Sequence, residues 1–225
     1  MANTEKTINA VMHPQPNETP IDIEKTIKAL ERNKFVVHYF ETGTEAVAYL
    51  KNRIQNKCVA IGDSRTLLEI GVHDALSEVN EDITDIQRPL EGESFRDTAL
   101  RTMGRDVFLT SVNALAQTGE MVNIDGTGNR IAASLFGSQE VFFVLGINKI
   151  TPDLASAIYR ARNVAAPLNS KLNKKSTLNP CAILEQQCYD CASSDRICNA
   201  LTIYYKKMRN MQTMEVIIIN ESLGF

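Results

Sequence analysis

Cys181, Cys188, Cys191 and Cys198 are four of the chain's five cysteines, spaced x6, x2, x6 in one short stretch that opens on Pro180. The inner pair, Cys188-Tyr189-Asp190-Cys191, has the spacing with which a tight turn presents two thiolates to one centre. The six-residue arms are long enough to fold back and bring the outer two. Soft thiolate donors in that number suit an iron–sulfur cluster or zinc. All-cysteine zinc sites usually use two CxxC knuckles, and this chain has one, so the spacing leans to a 4Fe-4S cluster with zinc as the alternative. Disulfides would need an oxidising compartment, and Met1 to Asn17 has no apolar core of the secretory kind. Unliganded thiols, or a dithiol switch confined to the CxxC, stay open. Cys58 opens the apolar run C-V-A-I and reads as a buried strand residue.

A second set of residues could hold a small anion. Gly62, Ser64 and Thr66 sit where an apolar run passes through a polar turn into a helix, the place where open α/β sheets bind ligands. Capping of that helix by either hydroxyl is the structural alternative. Asn123, Asp125, Thr127, Asn129 and Arg130 crowd one turn that would need only Asp-Gly, and Gly128 within it joins them as a candidate ligand contact. They either contact a ligand or tie the turn to its neighbours. Asn148 and Lys149 end the most apolar run, Val141 to Ile147, and Lys149 is the best single candidate for a carboxylate or phosphate. An ordinary surface lysine is its bland counterpart. The histidines, His13, His38 and His73, form no triad-like set with a nucleophile, which argues against hydrolytic catalysis.

The elements that must position these residues alternate. Thr19-Pro20 reads as a cap and first helical position, with Ile23, Ile27 and Leu30 on one face. Phe35 to Phe40 and Cys58 to Asp63 read as strands on either side of a helix carrying Val47, Leu50 and Ile54. A short strand Asp82 to Gln87, a helix Ser94 to Met103 with Phe95 inward, and a strand Val107 to Val112 follow. Glu120 to Ile124 and Asn129 to Leu135 read as the two strands of a β-hairpin turning at Asp125-Gly126-Thr127-Gly128. Gly126-x-Gly128 lacks a third glycine and opens no helix in this reading, so it is no dinucleotide fingerprint. Thr151-Pro152-Asp153 starts a further helix that Pro167 stops, with Arg160 and Arg162 off its apolar face, solvated or ion-paired, and anion binding as the alternative. Leu201 to Lys206 and Met214 to Asn220 close the chain as two strands round a turn.

Apolar strands separated by amphipathic helices predict an α/β fold: a mostly parallel sheet with helices on both faces, plus the hairpin. Phe35 to Phe40, Cys58 to Asp63 and Val141 to Ile147 should be neighbouring parallel strands. Residues 1–18 read as a flexible arm and residues 19–225 as one α/β domain with its cysteine loop at 180–198.

The chain has 225 residues, 44% of them hydrophobic and 23% charged, with a net charge of −3 at pH 7. That balance suits a globular protein and leaves no basic surface for nucleic acid or a membrane face. No apolar run is long enough to span a bilayer, so a cytoplasmic location is expected. Self-association is left open.

In combination, G-D-S-R-T-L-L-E-I-G (62–71), T-G-E-M-V-N-I-D-G-T-G-N-R (118–130), V-L-G-I-N-K-I (144–150), A-A-P-L-N (165–169) and the cysteine stretch (180–198) resemble the LUD domain family that includes lactate-utilisation protein C. The resemblance implies a fold like ribose-phosphate isomerase and CoA-transferase relatives. It also implies a bacterial role in oxidising lactate or a similar organic acid, with a small anionic metabolite as ligand and iron–sulfur redox proteins as partners. It supplies no catalytic residue, and the four-cysteine tail marks a subgroup.

Overall fold

The computed structural model describes residues 19–172, 178–184 and 187–225. The expected arm, residues 1–18, lies outside them. The chain runs α1 (Ile23–Arg32), β1 (Val36–Phe40), α2 (Gly43–Arg53), β2 (Cys58–Ile61), α3 (Arg65–Glu69), α4 (Val72–Ser77), β3 (Asp82–Asp85), α5 (Phe95–Arg101) and β4 (Val107–Thr110). It continues through β5 (Ala114–Ala116), β6 (Met121–Asp125), α6 (Asn129–Leu135), β7 (Glu140–Gly146), a 3-10 turn (Ile147–Lys149), β8 (Ile150–Thr151) and α7 (Leu154–Arg160). A π-helical turn (Ala161–Ala165), α8 (Ala166–Leu172), α9 (Pro180–Ile183), β9 (Ala200–Tyr204) and β10 (Thr213–Ile219) complete the described chain.

Six strands form a parallel sheet in the order β1-β10-β7-β4-β2-β3. The parallel sheet with helices on both faces is therefore present. β1, β2 and β7 all belong to it but are not neighbours: β10 stands between β1 and β7, and β4 between β7 and β2. Strand order is set by long-range packing that runs of apolar residues do not encode.

Each central strand feeds two cores. Along β7, Val141, Phe143 and Leu145 join the cluster that holds Leu30, Leu115 and Met121, whereas Phe142 and Val144 join Leu50, Ile54, Leu67 and Val72 on the other face. Because neighbouring residues point to opposite faces, a strand buried on both must be apolar throughout. Two buried acids break that rule: Glu140 and Glu215, on the adjacent strands β7 and β10, share the Arg53 guanidinium.

A second sheet, β8-β5-β6-β9, packs beside the first, and Ala114, Ala116, Val122 and Ile124 face Ala157 and Ala161 of α7 and the π turn. Its hairpin is β5 with β6, joined before residue 121 rather than after residue 125. The segment 129–135, expected as a strand, is the helix α6, and Gly128 is its N-cap. The Asp125 carboxylate explains this, since its Oδ1 accepts from the Thr127 and Gly128 amides at 3.2 and 3.1 Å and turns the chain into the helix. β9 and β10 lie in different sheets, not round one turn.

Three local expectations also shift. Asp22, not Thr19, caps α1, its Oδ1 accepting from the Lys25 amide at 3.0 Å. Phe95 is exposed while Thr98 and Ala99 carry the buried face of α5. Pro167 does not stop the helical run: the wider π turn just before it places α8 so that the missing proline N–H is tolerated. Cys58 is half-buried at the start of β2 rather than in the core.

Candidate functional site

The carboxyl ends of β2, β4 and β6 and the turn after β7 open on one cleft of about 700 Å³. Ser64, Asp125, Asn129, Arg130 and Lys149 line it, together with Ser111, Asn113 and Gln87. Its apolar wall includes Leu68, Phe95, Ile197 and Phe225, which accounts for the outward Phe95.

Lys149 is the centre of this arrangement. The 3-10 turn after β7 carries its side chain inward, and the residue is only 3% exposed. Its Nζ donates to Thr66 Oγ1 at 2.9 Å and to Ser111 Oγ at 3.0 Å. No carboxylate among the described residues forms an ion pair with it. Burial, followed by the charges of Arg160 and Arg130, pushes its amine down to about 7. Glu69 opposes the shift weakly.

Arg160 is held by carbonyls, its Nε donating to Asn148 O at 3.0 Å and its Nη1 to Asn113 O at 2.5 Å. Burial lowers its guanidinium to about 10. Arg130 reaches Asp125 Oδ2 at 3.2 Å and Ile124 O at 2.7 Å. The cleft walls thus carry Arg65, Arg130 and Lys149 against the carboxylates of Asp63 and Asp125, with Arg160 held on carbonyls beside them. Lys149 is the buried cation of this group, and an anion reaching it from the cleft would favour its charged form.

The other sequence candidates divide by position. Thr66 touches the amine but does not line the cleft. Ser64 caps α3, its Oγ accepting from the Leu67 amide at 3.3 Å, and also lines the cleft. Gly62 presses against the Phe108 ring, 2.9 Å from where a Cβ would stand, so a larger residue would collide there. Asn123 is buried and ties β6 to the chain after β4 through Asn113 N at 3.0 Å and Ser111 O at 3.3 Å. Asn148 fastens the final residues, its Oδ1 accepting from the Leu223 amide at 3.1 Å. Gly128 serves the turn into α6.

Sequence reading missed Ser111 and Arg160. Ser111 lies just beyond β4, which ends at Thr110 rather than Val112, and so its hydroxyl stands at a strand's carboxyl end. Arg160 is not solvated and has no ion pair among the described residues: it turns inward onto the carbonyls of Asn148 and Asn113 on two other segments.

The four cysteines of the tail border one small cavity of about 20 Å³, with Arg162, Arg196 and Asp190. Arg162 Nη2 lies 3.8 Å from Cys188 Sγ and 3.1 Å from Asp190 Oδ1. Burial raises the Cys198 thiol, against the pull of Arg196. Thiolates are the donor type that soft metals and clusters take. The space is about that of one water, too small for a 4Fe-4S cube as it stands. Among the described residues no three His, Cys, Asp or Glu side chains form a group that could hold a metal ion. The cysteine cavity and the cleft share Ala166 and Ile197 as walls.

The LUD domain model matches residues 23–219 of this sequence. The chain belongs to the LUD domain family. No curated protein matches this LUD domain significantly. Its fold is similar to that of a DUF162 family protein from Deinococcus radiodurans, known from a crystal structure, with a TM-score of 0.52 at 12% identity. The alignment covers 89% of this chain and 99% of that one. At that identity the likeness speaks for the fold alone. Among the described residues of this LUD domain no helix is long and apolar enough to cross a membrane.

Proposed function

We propose that this LUD domain binds a small carboxylate-bearing metabolite in the cleft, as the ligand-holding part of a lactate-type organic-acid oxidation system. The observation that carries the reading is Lys149: a buried amine bonded to two hydroxyls, facing a cleft, flanked by Arg130 and Arg160 and paired with no carboxylate among the described residues. A ligand carboxylate would supply the missing anion, with the Ser111 hydroxyl beside it and Thr66 holding the amine from behind. In this reading the system is bacterial and cytoplasmic and works with iron–sulfur redox proteins, and Cys181, Cys188, Cys191 and Cys198 hold a 4Fe-4S cluster once their loop opens. Bound there, such a cluster would supply one-electron transfer.

A second reading rests on the size of the cysteine cavity. A space of about 20 Å³ suits a single ion better than a cube, which favours structural zinc in a non-catalytic binding module.

Two measurements test these readings. Titration calorimetry with lactate, pyruvate and inorganic phosphate should give binding in the wild type and none in Lys149→Met; equal binding by both proteins would overturn the cleft assignment. Anaerobic purification with iron, sulfide and zinc analysis and a visible spectrum separates cluster from zinc. A protein carrying none of the three after reconstitution would remove both metal readings.

A further inference from the structure

We propose that Lys149 is a covalent site for small 2-oxo acids, its amine condensing with the keto group of a carboxylate bound in the cleft. The inference rests on the reading that the cleft binds carboxylates, and it deepens that reading by naming the substrate class and the bond formed.

Imine formation needs a nucleophilic amine, a place for the acid's carboxylate, proton carriers beside the reacting atoms, and little competing water. Each has a counterpart. Lys149 borders the cleft yet is 3% exposed. Its Nζ stands between two hydroxyls, Thr66 Oγ1 and Ser111 Oγ, which are themselves 3.5 Å apart. Arg130 lines the same cleft and can take the carboxylate without touching the amine. The tail also leaves room, because a Cβ on Gly224 would stand 3.2 Å from Nζ and glycine has none. With the amine held near 7, a large fraction is neutral and nucleophilic at physiological pH.

The step balances without any other reagent. The Nζ lone pair attacks C2 of the 2-oxo acid, and the keto oxygen takes a proton to give a carbinolamine. That hydroxyl leaves as water after a second proton arrives through Ser111 or Thr66, and a C2=N bond replaces the C2=O bond. Nothing is oxidised or reduced. The protonated imine keeps a positive charge beside the ligand carboxylate, so the electrostatic balance of the site survives the reaction. A 2-hydroxy acid has no carbonyl and can bind but not condense.

The test uses the intact protein with pyruvate and borohydride, which reduces an imine to a stable secondary amine. Peptide mass mapping should place a carboxyethyl group on Lys149 in preference to exposed lysines such as Lys28. Borohydride alone, or with lactate, should give no adduct. Lys149→Arg should remove the adduct with an unchanged circular dichroism spectrum. Ser111→Ala should retain the site but slow trapping on the order of tenfold or more, the loss of one proton carrier. Calorimetric binding of pyruvate without an adduct on Lys149 would overturn the covalent site and leave the carboxylate site intact. Absence of both binding and adduct would overturn the two together, and labelling spread evenly over surface lysines would overturn the covalent site.

Discussion

Lys149 Nζ donates to Thr66 Oγ1 at 2.9 Å across 83 residues of sequence, joining the turn after β7 to the helix that follows β2. Both groups are buried, and the pair closes the inner end of the cleft at the carboxyl edge of the sheet. A charged amine placed there is costly to the fold unless an anion accompanies it.

That cost predicts a trade of function against stability. The amine's ordinary value is 10.5 and burial brings it to about 7. Between those values the unfolded chain binds the proton and the folded one releases it, so stability rises with pH across this window and the penalty is greatest below 7. Lys149→Met should therefore stabilise the apo protein at neutral pH by about 1–2 kcal/mol, after allowance for two lost hydrogen bonds, while abolishing carboxylate binding. The gain should shrink as pH rises towards 10. Denaturant unfolding at several pH values reads this out, and a destabilised variant at neutral pH would contradict the account.

Affinity should carry the same titration with opposite sign. A bound carboxylate stabilises the charged amine, so binding is strongest where Lys149 is already protonated. Noncovalent affinity for lactate should be flat below about pH 7 and then fall roughly tenfold per pH unit until the amine of the complex itself titrates. Calorimetry with lactate avoids the covalent step. Constant affinity between about pH 6 and pH 9 would place the ligand away from Lys149.

Much of the parallel sheet was legible because burial on both faces forces apolar runs, and Val141 to Leu145 has no other reading. Lys149 was legible because it follows such a run. The helix α6 was not: N-R-I-A-A-S-L offers too few apolar residues to fix a period, and its start depends on one carboxylate, Asp125, holding the Thr127 and Gly128 amides. Strand order and the separation of β9 from β10 depend on contacts between distant segments, which local propensity does not encode. Arg160 escaped because its partners are backbone carbonyls, and any sequence presents those.

The shared wall between the cleft and the cysteine cavity predicts that the two sites influence each other. Asn199 donates from its amide to Asp125 O and from Nδ2 to Gly126 O, both at 3.0 Å. A Cβ on Gly126 would stand 3.0 Å from Ile197 O and 3.2 Å from Ile197 Cα. Both contacts are with backbone, so Gly126→Ala must displace either the Asp125 turn or the segment carrying Cys198. Carboxylate affinity should fall severalfold and the reaction of the tail cysteines with a disulfide reagent should quicken in the same variant. In the wild type, lactate should slow that thiol reaction, since coupling between two sites is reciprocal. A variant that changes one property and leaves the other untouched would show the sites to be independent.

The last prediction separates the ligand site from the other buried charge of the fold. Glu140 and Glu215 are 5% and 2% exposed, and Arg53 bonds to both. Tyr49 donates to Glu215 Oε2 at 2.8 Å, and its phenol is pushed up by burial and by that carboxylate. Removing the guanidinium leaves Glu140 with the more distant Lys57 at 3.7 Å and Glu215 with Tyr49 and His38, the latter at 3.4 Å, as the remaining partners of two buried carboxylates. Arg53→Met should destabilise the protein by about 2 kcal/mol or more, with partial access of water limiting the loss because Arg53 is itself one-third exposed. The double replacement of Glu140 and Glu215 by glutamine in that background should recover part of the loss, since neutral amides are less costly to bury than charges left with weaker partners. Lactate affinity should be unchanged in every one of these variants, because none of these residues lines the cleft. Urea unfolding and calorimetry on the same preparations measure both, and a loss of ligand binding in Arg53→Met at full occupancy of the folded state would tie this network to the site after all.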